Sequence, residues 1–474
     1  MQSKHGFSLK HIPLRYILLF LLLVYIAALI VPYIAHKPVS SSYKKEFKKR
    51  NFYGTSVGPE RVAYIDDNTE ALLYRLHMIE EAKKEIIVST FDFNADKAGQ
   101  DIMAALLHAA DRGVSVRVIV DGISGFMDVK RDPVFAAFAS HPNVELRIYN
   151  PVNLLKPWNI QARLHDKYVI IDHSMYLLGG RNTMNLFLGD YSSSKNIDRE
   201  LFIYETEFTK QSSLQQLRDY FESVWSLPDS KDFSGRRKSQ KEKEAYSKLQ
   251  NRYSYLQKTY PQAYENWNFE ELTSETNKVS LLSNPIESEN KEPWMWYSLH
   301  QLMMQGSQTT IYTPYIICGN EMYDDLTKLK EKDIPVEIIT NDVASGANPW
   351  GCTDYLNQRK KIWSTGATVY EFMGKPSSHT KAVLIDDRMS IVGSYNLDMR
   401  STYQDTELML AVDSPELNSM IRKEAEHDKT YSKVMGNNDE YIYGENYKEK
   451  EIPPLKQVFY FILRIVIIPF RRFL

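Results

Sequence analysis

One combination of residues occurs twice in this chain with the same spacing, a histidine followed by a lysine two positions later and an aspartate seven positions later. The members of the two copies are His165, Lys167 and Asp172, and then His379, Lys381 and Asp386. The two histidines lie 214 residues apart, from 165 to 379. This period is far longer than that of a solenoid repeat, so the sequence predicts an internally duplicated domain in which both copies serve one site.

Each copy continues into an apolar stretch typical of a buried strand, 168–171 in the first and 382–385 in the second. Side chains two residues apart on a strand point to the same face, so each histidine is expected beside its lysine. A second apolar strand follows in each half and ends in small residues and an asparagine, Asn182 or Asn396. Small residues let a ligand approach the backbone, and the two amides can donate hydrogen bonds to it.

Acidic residues precede a further apolar strand in both halves. From their positions we predict that Glu200 and Glu407 each hydrogen-bond the histidine of their own copy. The first copy differs from the compact second copy, because Arg181 precedes its asparagine and a long excursion spans 185–197. This difference leaves the pairing of Glu200 with His165 open.

Both copies resemble the HKD motifs of the phospholipase D superfamily, and the resemblance covers roughly 57–413. The stretches 179–182 and 393–402 are similar to those of a bacterial cardiolipin synthase branch of that superfamily. The resemblance implies two similar half-domains packed about a pseudo-twofold axis, with both motif strands at their interface and the site in the cleft between them.

The fold class expected from the residues is α/β. Helical patterns at 68–82 and 99–112 alternate with strands at 85–91, 114–120 and 144–149. The second half repeats this order, with helices at 294–304, 322–330 and 349–363 and strands at 308–315, 336–340 and 368–372. We therefore predict two mixed-sheet α/β/α halves, at 57–228 and 278–430.

An uncharged apolar stretch at 16–35 is long enough to span a bilayer as a helix. It predicts a transmembrane helix that places the protein in the cell membrane, between a basic flank at 1–15 and a basic linker at 36–56. Three basic residues precede the helix and six follow it within the linker. This excess favours a cytoplasmic catalytic body, although the early positive charges also favour an N-terminus on the inside. The later lysines can attract anionic head groups or simply be solvated.

Two further segments lie outside the halves. A charged helical linker is predicted at 229–277, and its tyrosines at helical spacing are expected to pack against the body. After Pro453-Pro454, an apolar and basic tail at 453–474 predicts an amphipathic helix in the membrane interface, with Arg471 and Arg472 at anionic head groups. The alternative is a helix docked on the core of the protein.

Two histidines on opposite sides of one phosphate can carry out transfer through a phosphohistidine. One imidazole attacks phosphorus while the other protonates the leaving alcohol, and the second then activates the acceptor. The lysines and asparagines of the two copies would bind the non-bridging oxygens, and Asp172 and Asp386 are predicted to brace the motif. The residues leave the order of the histidines open, and the resemblance favours His165 as nucleophile and His379 as general acid.

The spacing of histidine and cysteine residues predicts no metal site or cofactor. The only cysteines are Cys318 and Cys352, and the sequence leaves open whether they pair. A net charge of -2 disfavours nucleic acid as a partner. The membrane segments instead indicate phospholipid substrates, and the resemblance implies transfer of phosphatidyl to phosphatidylglycerol from phosphatidylglycerol or phosphatidylethanolamine. A phosphatidylserine synthase, a hydrolytic phospholipase D and a membrane-anchored nuclease remain alternatives.

Overall fold

The computed structural model describes residues 13–436 and 440–474, so most of the basic flank predicted at 1–15 lies outside the described residues. The chain begins with an apolar helix, continues through two α/β halves joined by a helical segment, and ends in a second apolar helix. The bounds of these elements follow in chain order.

The first half alternates strands with helices, and its fifth strand belongs to the first motif. Its strands are β1 (Glu60–Ile65), β2 (Glu85–Thr90), β3 (Ser115–Asp121), β4 (Val144–Tyr149), β5 (Tyr168–Ile171), β6 (Met175–Gly179), β7 (Asn196–Ile197), β8 (Glu200–Glu205) and β9 (Ser230–Phe233). Its helices, numbered after α1 (Leu14–Ile30) and α2 (Ser41–Glu46) of the N-terminal segment, are α3 (Asn68–Glu81), α4 (Lys97–Asp111), α5 (Gly122–Ser124), which continues as a π-helix (Gly125–Val129), α6 (Pro133–Phe138) and α7 (Ser213–Trp225).

The connecting segment contains α8 (Gln240–Thr259), α9 (Phe269–Leu272) and the short strand β10 (Ser274–Glu275). A capping box of Ser239 and Glu242 starts α8. The side chains of Tyr246, Leu249 and Tyr253 are buried in the first core, against α4 and α6. The prediction that the tyrosines of this segment pack against the body is therefore confirmed for Tyr246 and Tyr253.

The second half repeats the order of the first and carries the second motif. Its strands are β11 (Lys278–Ser283), β12 (Thr309–Tyr312), β13 (Val336–Asn341), β14 (Thr368–Phe372), β15 (Ser377–Ser378), β16 (Ala382–Ile385), β17 (Met389–Gly393), β18 (Leu408–Asp413), β19 (Ser432–Met435) and β20 (Tyr441–Tyr443). Its helices are α10 (Trp294–Met303), α11 (Asn320–Glu331), α12 (Pro349–Ser364), α13 (Met399–Tyr403) and α14 (Pro415–Thr430).

The two nine-stranded sheets have matching strand orders. The first runs β10-β1-β8-β6-β5-β2-β3-β4-β9, and the second runs β11-β18-β17-β16-β12-β13-β14-β19-β20. In both sheets three neighbouring strands are parallel, β2-β3-β4 and β12-β13-β14, and the motif strands β5 and β16 pair antiparallel beside them. The predicted duplicated mixed-sheet fold is confirmed.

Three apolar cores hold these layers together. One lies between the first sheet and helices α3, α4, α6 and α8, and another lies on the outer side of the second sheet with α10, α11 and α12. The third joins the inner faces of both sheets, where Ile170 and Leu178 of the first half share a cluster with Leu384 and Val392 of the second. The motif strands therefore lie at the interface between the halves.

The N-terminal segment is tied to the second half rather than extended as a free linker. Within the described residues, Leu14–Tyr33 is the one helix long and apolar enough to cross a membrane, and it ends in a 3-10 turn (Val31–Tyr33). Beyond it, the ring of Tyr43 stacks on Trp294 with centroids 4.6 Å apart, and Phe52 is buried in the second core. These contacts fix the end of the apolar helix relative to the body.

The C-terminal helix α15 (Pro454–Val466) and the 3-10 turns after it (Ile468–Phe473) lie along α12. Tyr460, Leu463 and Ile467 are buried, whereas the opposite apolar face is exposed. The placement of this segment in the membrane interface, with both arginines at anionic head groups, stays a prediction, and the structure shows their contacts within the protein. Arg471 forms an ion pair with buried Asp354, with Nε–Oδ1 and Nη2–Oδ2 distances of 2.5 and 3.0 Å, and Arg472 donates to the Ile34 carbonyl at 2.7 Å.

Candidate active site

The aspartate at the end of each motif fixes the turn that follows the motif strand. Asp172 and Asp386 both have a φ of 51°, a left-handed conformation that aspartate tolerates better than most residues. The Asp172 carboxylate accepts hydrogen bonds from the backbone N–H groups of residues 83–85 at 2.8–2.9 Å, and Asp386 accepts from those of Ser307 and Gln308. Both aspartates therefore brace the motif, as predicted.

The histidine of the first motif is held by the second half. A β-bridge pairs Leu164 with Thr406, and the His165 N–H donates to the Thr406 hydroxyl at 3.1 Å. The Nδ1 atom of His165 lies 2.8 Å from Oε1 of Glu407, whose Oε2 is bonded to the Ser394 hydroxyl.

The histidine of the second motif is held by the first half in the same way. Strand β15 pairs with β7, and the His379 N–H donates to the Ile197 carbonyl at 2.6 Å. The Nδ1 atom of His379 lies 2.6 Å from Oδ2 of Asp198. A side chain at Gly180 would collide with this carboxylate, because an added Cβ would be 2.4 Å from Oδ2. Each imidazole is thus oriented by a carboxylate from the opposite half.

The prediction that each glutamate supports its own histidine is wrong for both copies. Glu407 supports the histidine of the other copy, and Glu200 contacts neither histidine. Glu200 is buried in a bidentate pair with Arg75, with N–O distances of 2.7 and 2.8 Å, and Arg181 lies 3.8 Å away. The sheet register explains the error, because Gly179 pairs with Glu200 whereas Gly393 pairs with Met409. Asp198, two residues earlier, is therefore the counterpart of Glu407.

Both lysines of the motif are buried beside their histidines. Lys167 donates to the His165 carbonyl, and Lys381 lies 2.6 Å from Nδ1 of His379 and 3.5 Å from Oδ2 of Asp198. Phe91 packs edge-on against His165 with a centroid distance of 5.4 Å and lies 5.5 Å from the Lys167 ammonium. Burial makes the two cations strong partners for an anion that enters between the histidines.

The two asparagines are also brought to the site. Asn182 accepts a hydrogen bond from the Asp92 N–H at 3.3 Å, and Asn396 donates to the Tyr315 hydroxyl at 3.2 Å. The Oδ1 atom of Asn396 is buried and makes no hydrogen bond within the described part of the chain. Both amides retain polar atoms that can bind a ligand.

The electrostatics favour the neutral form of both imidazoles. Burial, followed by the charges of Lys167 and Lys381, lowers the pKa of His165 well below its usual value. Burial and Lys381 lower the pKa of His379 to about 4 against the opposing effect of Asp198. Because the carboxylate accepts from Nδ1–H, the lone pair of each neutral ring is on Nε2, and that of His379 lies 3.2 Å from the Lys381 ammonium. A neutral imidazole in this tautomer is a nucleophile.

The two supporting carboxyl groups differ in charge. Burial raises the pKa of Glu407 to about 8, and the nearby Lys167 offsets only part of this effect. Burial acts in the same direction on Asp198, but Lys381 and His379 outweigh it and lower the pKa of Asp198 to about 2. At neutral pH, Asp198 is therefore ionised beside His379, whereas Glu407 is largely protonated beside His165.

Several polar residues of the site were missing from the sequence prediction, above all Asp198, Thr406 and Tyr315. The sequence alone does not identify Asp198, because the Asp-x-Glu-Leu patterns at 198–201 and 405–408 align Glu200 rather than Asp198 with Glu407. The contact of Tyr315 with Asn396 has no local signal either. Within residues 13–436 and 440–474, no group of three or more His, Cys, Asp or Glu side chains is placed to hold a metal ion.

Comparisons with known proteins agree with this geometry. Residues 76–225 and 299–429 match the profile of a family described as cardiolipin synthase, PLD-like domain. An uncharacterised protein of Helicobacter pylori (strain ATCC 700392 / 26695) is 25% identical over 429 residues, which cover 81% of each chain. Cardiolipin synthase C of Escherichia coli (strain K12) is 24% identical over 417 residues, covering 76% of this chain and 82% of that protein.

Among solved structures, the phosphatidylserine synthase of Haemophilus influenzae Rd KW20 is similar, with a TM-score of 0.63 and 17% sequence identity. The match covers 91% of this chain and 99% of that one. At this identity the similarity concerns the fold.

Proposed function

The chain belongs to the cardiolipin synthase family with a phospholipase D-like domain, and on this basis we propose that it transfers phosphatidyl groups through a phosphohistidine to phosphatidylglycerol. The observation that carries the proposal is the pair of buried neutral imidazoles, each with Nδ1 held by a carboxylate from the opposite half. One neutral imidazole can attack a phosphodiester, and the other, after taking up a proton on Nε2 beside its carboxylate, can protonate the leaving group.

His165 acts as the nucleophile and His379 as the general acid. An ionised carboxylate stabilises the imidazolium form of its histidine, and Asp198 beside His379 has the depressed pKa. Oε2 of Glu407 accepts from the Ser394 hydroxyl, while Oε1 accepts from Nδ1–H of His165. This arrangement keeps Nε2 of His165 unprotonated for attack on phosphorus.

The lysines and asparagines of the two copies bind the non-bridging oxygens of the phosphate. Lys167 and Lys381 are almost completely buried, so their charges are poorly screened by water. The pKa of Lys167 is lowered to about 8 by burial, and a bound phosphate anion would restore its positive charge. Asn182 and Asn396, which follow β6 and β17, supply uncharged hydrogen bonds.

Two apolar segments support the location of this chemistry at a lipid surface. The apolar helix Leu14–Tyr33 anchors the chain, and Tyr33 at its end donates to the Trp158 carbonyl at 2.8 Å. Beside this contact, Leu155 and Trp158 are exposed, as is the outer face of α15. We assign these surfaces to the lipid–water interface of one leaflet, and the catalytic body to the cytoplasmic side of the membrane. Protease digestion of sealed right-side-out vesicles, in which the body should be protected, tests the side.

The test of the proposed activity is lipid mass spectrometry of cells that lack their own cardiolipin synthases and express this chain. Cardiolipin should appear with the unchanged chain, be absent with His165→Ala, and persist with His173→Ala, which removes an exposed histidine just beyond the motif. Raising phosphatidylethanolamine shows whether it is a donor. Accumulation of phosphatidic acid alone would indicate a hydrolase, new phosphatidylserine would indicate serine as acceptor, and unchanged lipids would refute the proposal.

A further inference from the structure

Three large apolar side chains are exposed together on the first half. Ile123, Phe126 and Met127 are 39%, 43% and 54% exposed. They lie on α5 and on the π-helix that continues it, whereas Gly125 and Val129 of the same turn are buried. We call these three side chains the apolar ridge. Groups of exposed apolar side chains mark interaction surfaces more often than single ones do.

The local structure holds the ridge outward. A Cβ added at Gly125 would collide with the side chain of Ile148 in β4, so the glycine lets this turn pack closely against the sheet. The N–H of Lys130 donates to the Gly125 carbonyl at 3.2 Å, the i to i+5 bond of a π-helix. With Gly125 and Val129 directed inward, the neighbouring side chains of Phe126 and Met127 both face solvent.

The ridge lies at the edge of the body where the apolar helix α1 ends. Strands β3 and β4 are parallel neighbours, with Asp121 opposite Tyr149, so the segments that follow them leave the same edge of the sheet. The two segments are in contact, because a Cβ added at Gly122 would collide with the Asn150 carbonyl. The segment after β4 then forms the 3-10 turn Pro157–Asn159, which contacts α1.

The charges around the ridge match an anionic lipid surface. Three exposed cationic side chains flank it, namely Lys130, Arg131 and Lys156. The guanidinium of Arg131 lies 4.6 Å from the centroid of the Phe126 ring. The acidic side chains nearby are engaged within the protein, since Asp128 accepts from the Ser124 hydroxyl and Asp132 caps the start of α6. Apolar side chains beside cations are typical of segments that lie in the head-group region of a membrane.

One buried carboxylate connects the ridge to the first motif. Oδ1 of Asp121 accepts from the N–H of Ile123 at 2.7 Å, and Oδ2 accepts from the N–H of Leu164 at 2.9 Å. Leu164 directly precedes His165, and Asp121 is fully buried. The position of the ridge therefore fixes the distance of His165 from any surface that the ridge contacts.

We propose that the apolar ridge inserts into an anionic leaflet as a membrane contact separate from α1, and that it sets the depth at which lipid phosphates meet His165. The second part rests on the proposed function, whereas the insertion does not. A single helix attaches the body to a bilayer but leaves it free to tilt. Side chains that enter the boundary between head groups and acyl chains by about 5–10 Å would hold the cleft at one height above the membrane.

Fluorescence quenching tests the insertion without reference to activity. The full chain with Met127→Cys, labelled with a nitrobenzoxadiazole dye, is reconstituted into vesicles of phosphatidylglycerol and phosphatidylcholine that contain spin-labelled acyl chains. Cys318 and Cys352 are buried, so the dye reports on position 127. The control is Leu272→Cys, because Leu272 is 45% exposed but precedes β10 at the opposite edge of the first sheet.

The dye at position 127 should be quenched roughly fivefold more strongly than the dye at position 272, because only the ridge reaches the acyl chains. Equal quenching at the two positions, or none at position 127, would overturn the insertion. Absence of quenching in these vesicles, which contain no other protein, would direct the search to a protein partner instead.

Two substrates of different chain length test the effect on depth. Phe126→Asp with Met127→Asp should slow cardiolipin formation in phosphatidylglycerol bilayers roughly tenfold, but turnover of monomeric dihexanoylphosphatidylglycerol by less than about twofold, because a dissolved substrate needs no membrane contact. Phe126→Leu with Met127→Leu, which keeps the ridge apolar, should retain both rates. Equal losses with both substrates would show that the ridge supports the fold of the site and would overturn its role in depth. Quenching at position 127 in a chain that transfers no phosphatidyl groups would overturn the proposed function and leave the insertion standing.

Discussion

Replacing Asp198 by asparagine tests the crossed support of the catalytic histidines. The substitution keeps the size of the side chain and one acceptor oxygen for Nδ1 of His379, but it removes the negative charge. The pKa of Asp198 falls from 3.8 to about 2 in the folded chain, where Lys381 and His379 outweigh burial. Since one pKa unit corresponds to about 1.4 kcal/mol, the charge is coupled to its surroundings by about 2–3 kcal/mol.

The loss of this coupling should slow phosphatidyl transfer by roughly 50- to 100-fold, because the imidazolium of His379 is no longer stabilised. If the amide also changes the tautomer of the ring, the loss should approach about 10⁴, as for the corresponding change in a serine protease triad. The assay is the rate of cardiolipin formation from phosphatidylglycerol vesicles by the purified full chain, with thermal unfolding as a check on the fold.

Glu200→Gln is the matched control, since Glu200 is the buried carboxylate two residues away. It should weaken the pair with Arg75 and destabilise the fold by about 3 kcal/mol, while turnover per folded molecule stays near that of the unchanged chain. A rate for Asp198→Asn within fivefold of the original, or a stable Glu200→Gln variant that has lost catalysis, would refute the crossed arrangement.

Three further predictions concern the nucleophile, the pH dependence of stability and the tail. The first uses a phosphatidyl ester of p-nitrophenol, whose leaving group needs no general acid. With this substrate His379→Ala should accumulate a phosphatidyl adduct detectable in the intact protein mass, whereas His165→Ala should not. An adduct on His165→Ala would contradict the assigned order of the histidines. Burial raises the pKa of Glu60 to about 7 from 4.5, so the folded chain retains a proton that the unfolded chain has lost, and the free energy of unfolding should fall by about 3 kcal/mol between pH 4.5 and 7. Glu60→Gln should flatten this dependence in urea melts at several pH values, and an unchanged slope would contradict the assignment. Arg471→Ala should leave Asp354 buried without its partner and expose α15 to limited proteolysis at least tenfold faster, whereas equal cleavage would show that the ion pair does not hold the tail.

The parts of the fold that the sequence predicted are those specified by local pattern. The strands at 144–149 and 368–372 have the predicted bounds, and the helix predicted at 349–363 extends one residue further. Both aspartates that end the motifs were predicted to brace, and both do so through backbone N–H groups. Periodicity and spacing suffice here because the residues of each element determine which of its faces is buried.

The contacts across the interface could not be predicted in this way. Sequence proximity favoured pairing of Glu407 with His379. In the pseudo-twofold arrangement, however, the carboxyl group just before β8 or β18 contacts the motif histidine of the other half. The tail shows the same limit, because its amphipathic pattern was recognised whereas the partners of Arg471 and Arg472 lie more than 100 residues away. Such partners depend on how complete layers pack, which no short window of sequence contains.

The differences between the two copies bear on how a duplicated site can divide its work. A perfectly symmetric pair of histidines would have equal pKa values, and neither would be specified as nucleophile. Here Glu407 faces the Ser394 hydroxyl, whereas the shorter Asp198 fits against Gly180, where a Cβ would not. The carboxyl groups therefore differ in length and in partners, and their pKa values are shifted in opposite directions. Proteins assign acid and base roles by shifting the pKa values of paired titratable groups apart. Exchanging the two carboxylates, as Asp198→Glu with Glu407→Asp, should therefore lower turnover more than either substitution alone. If the exchanged chain kept full activity, the division of roles would not come from the carboxylates.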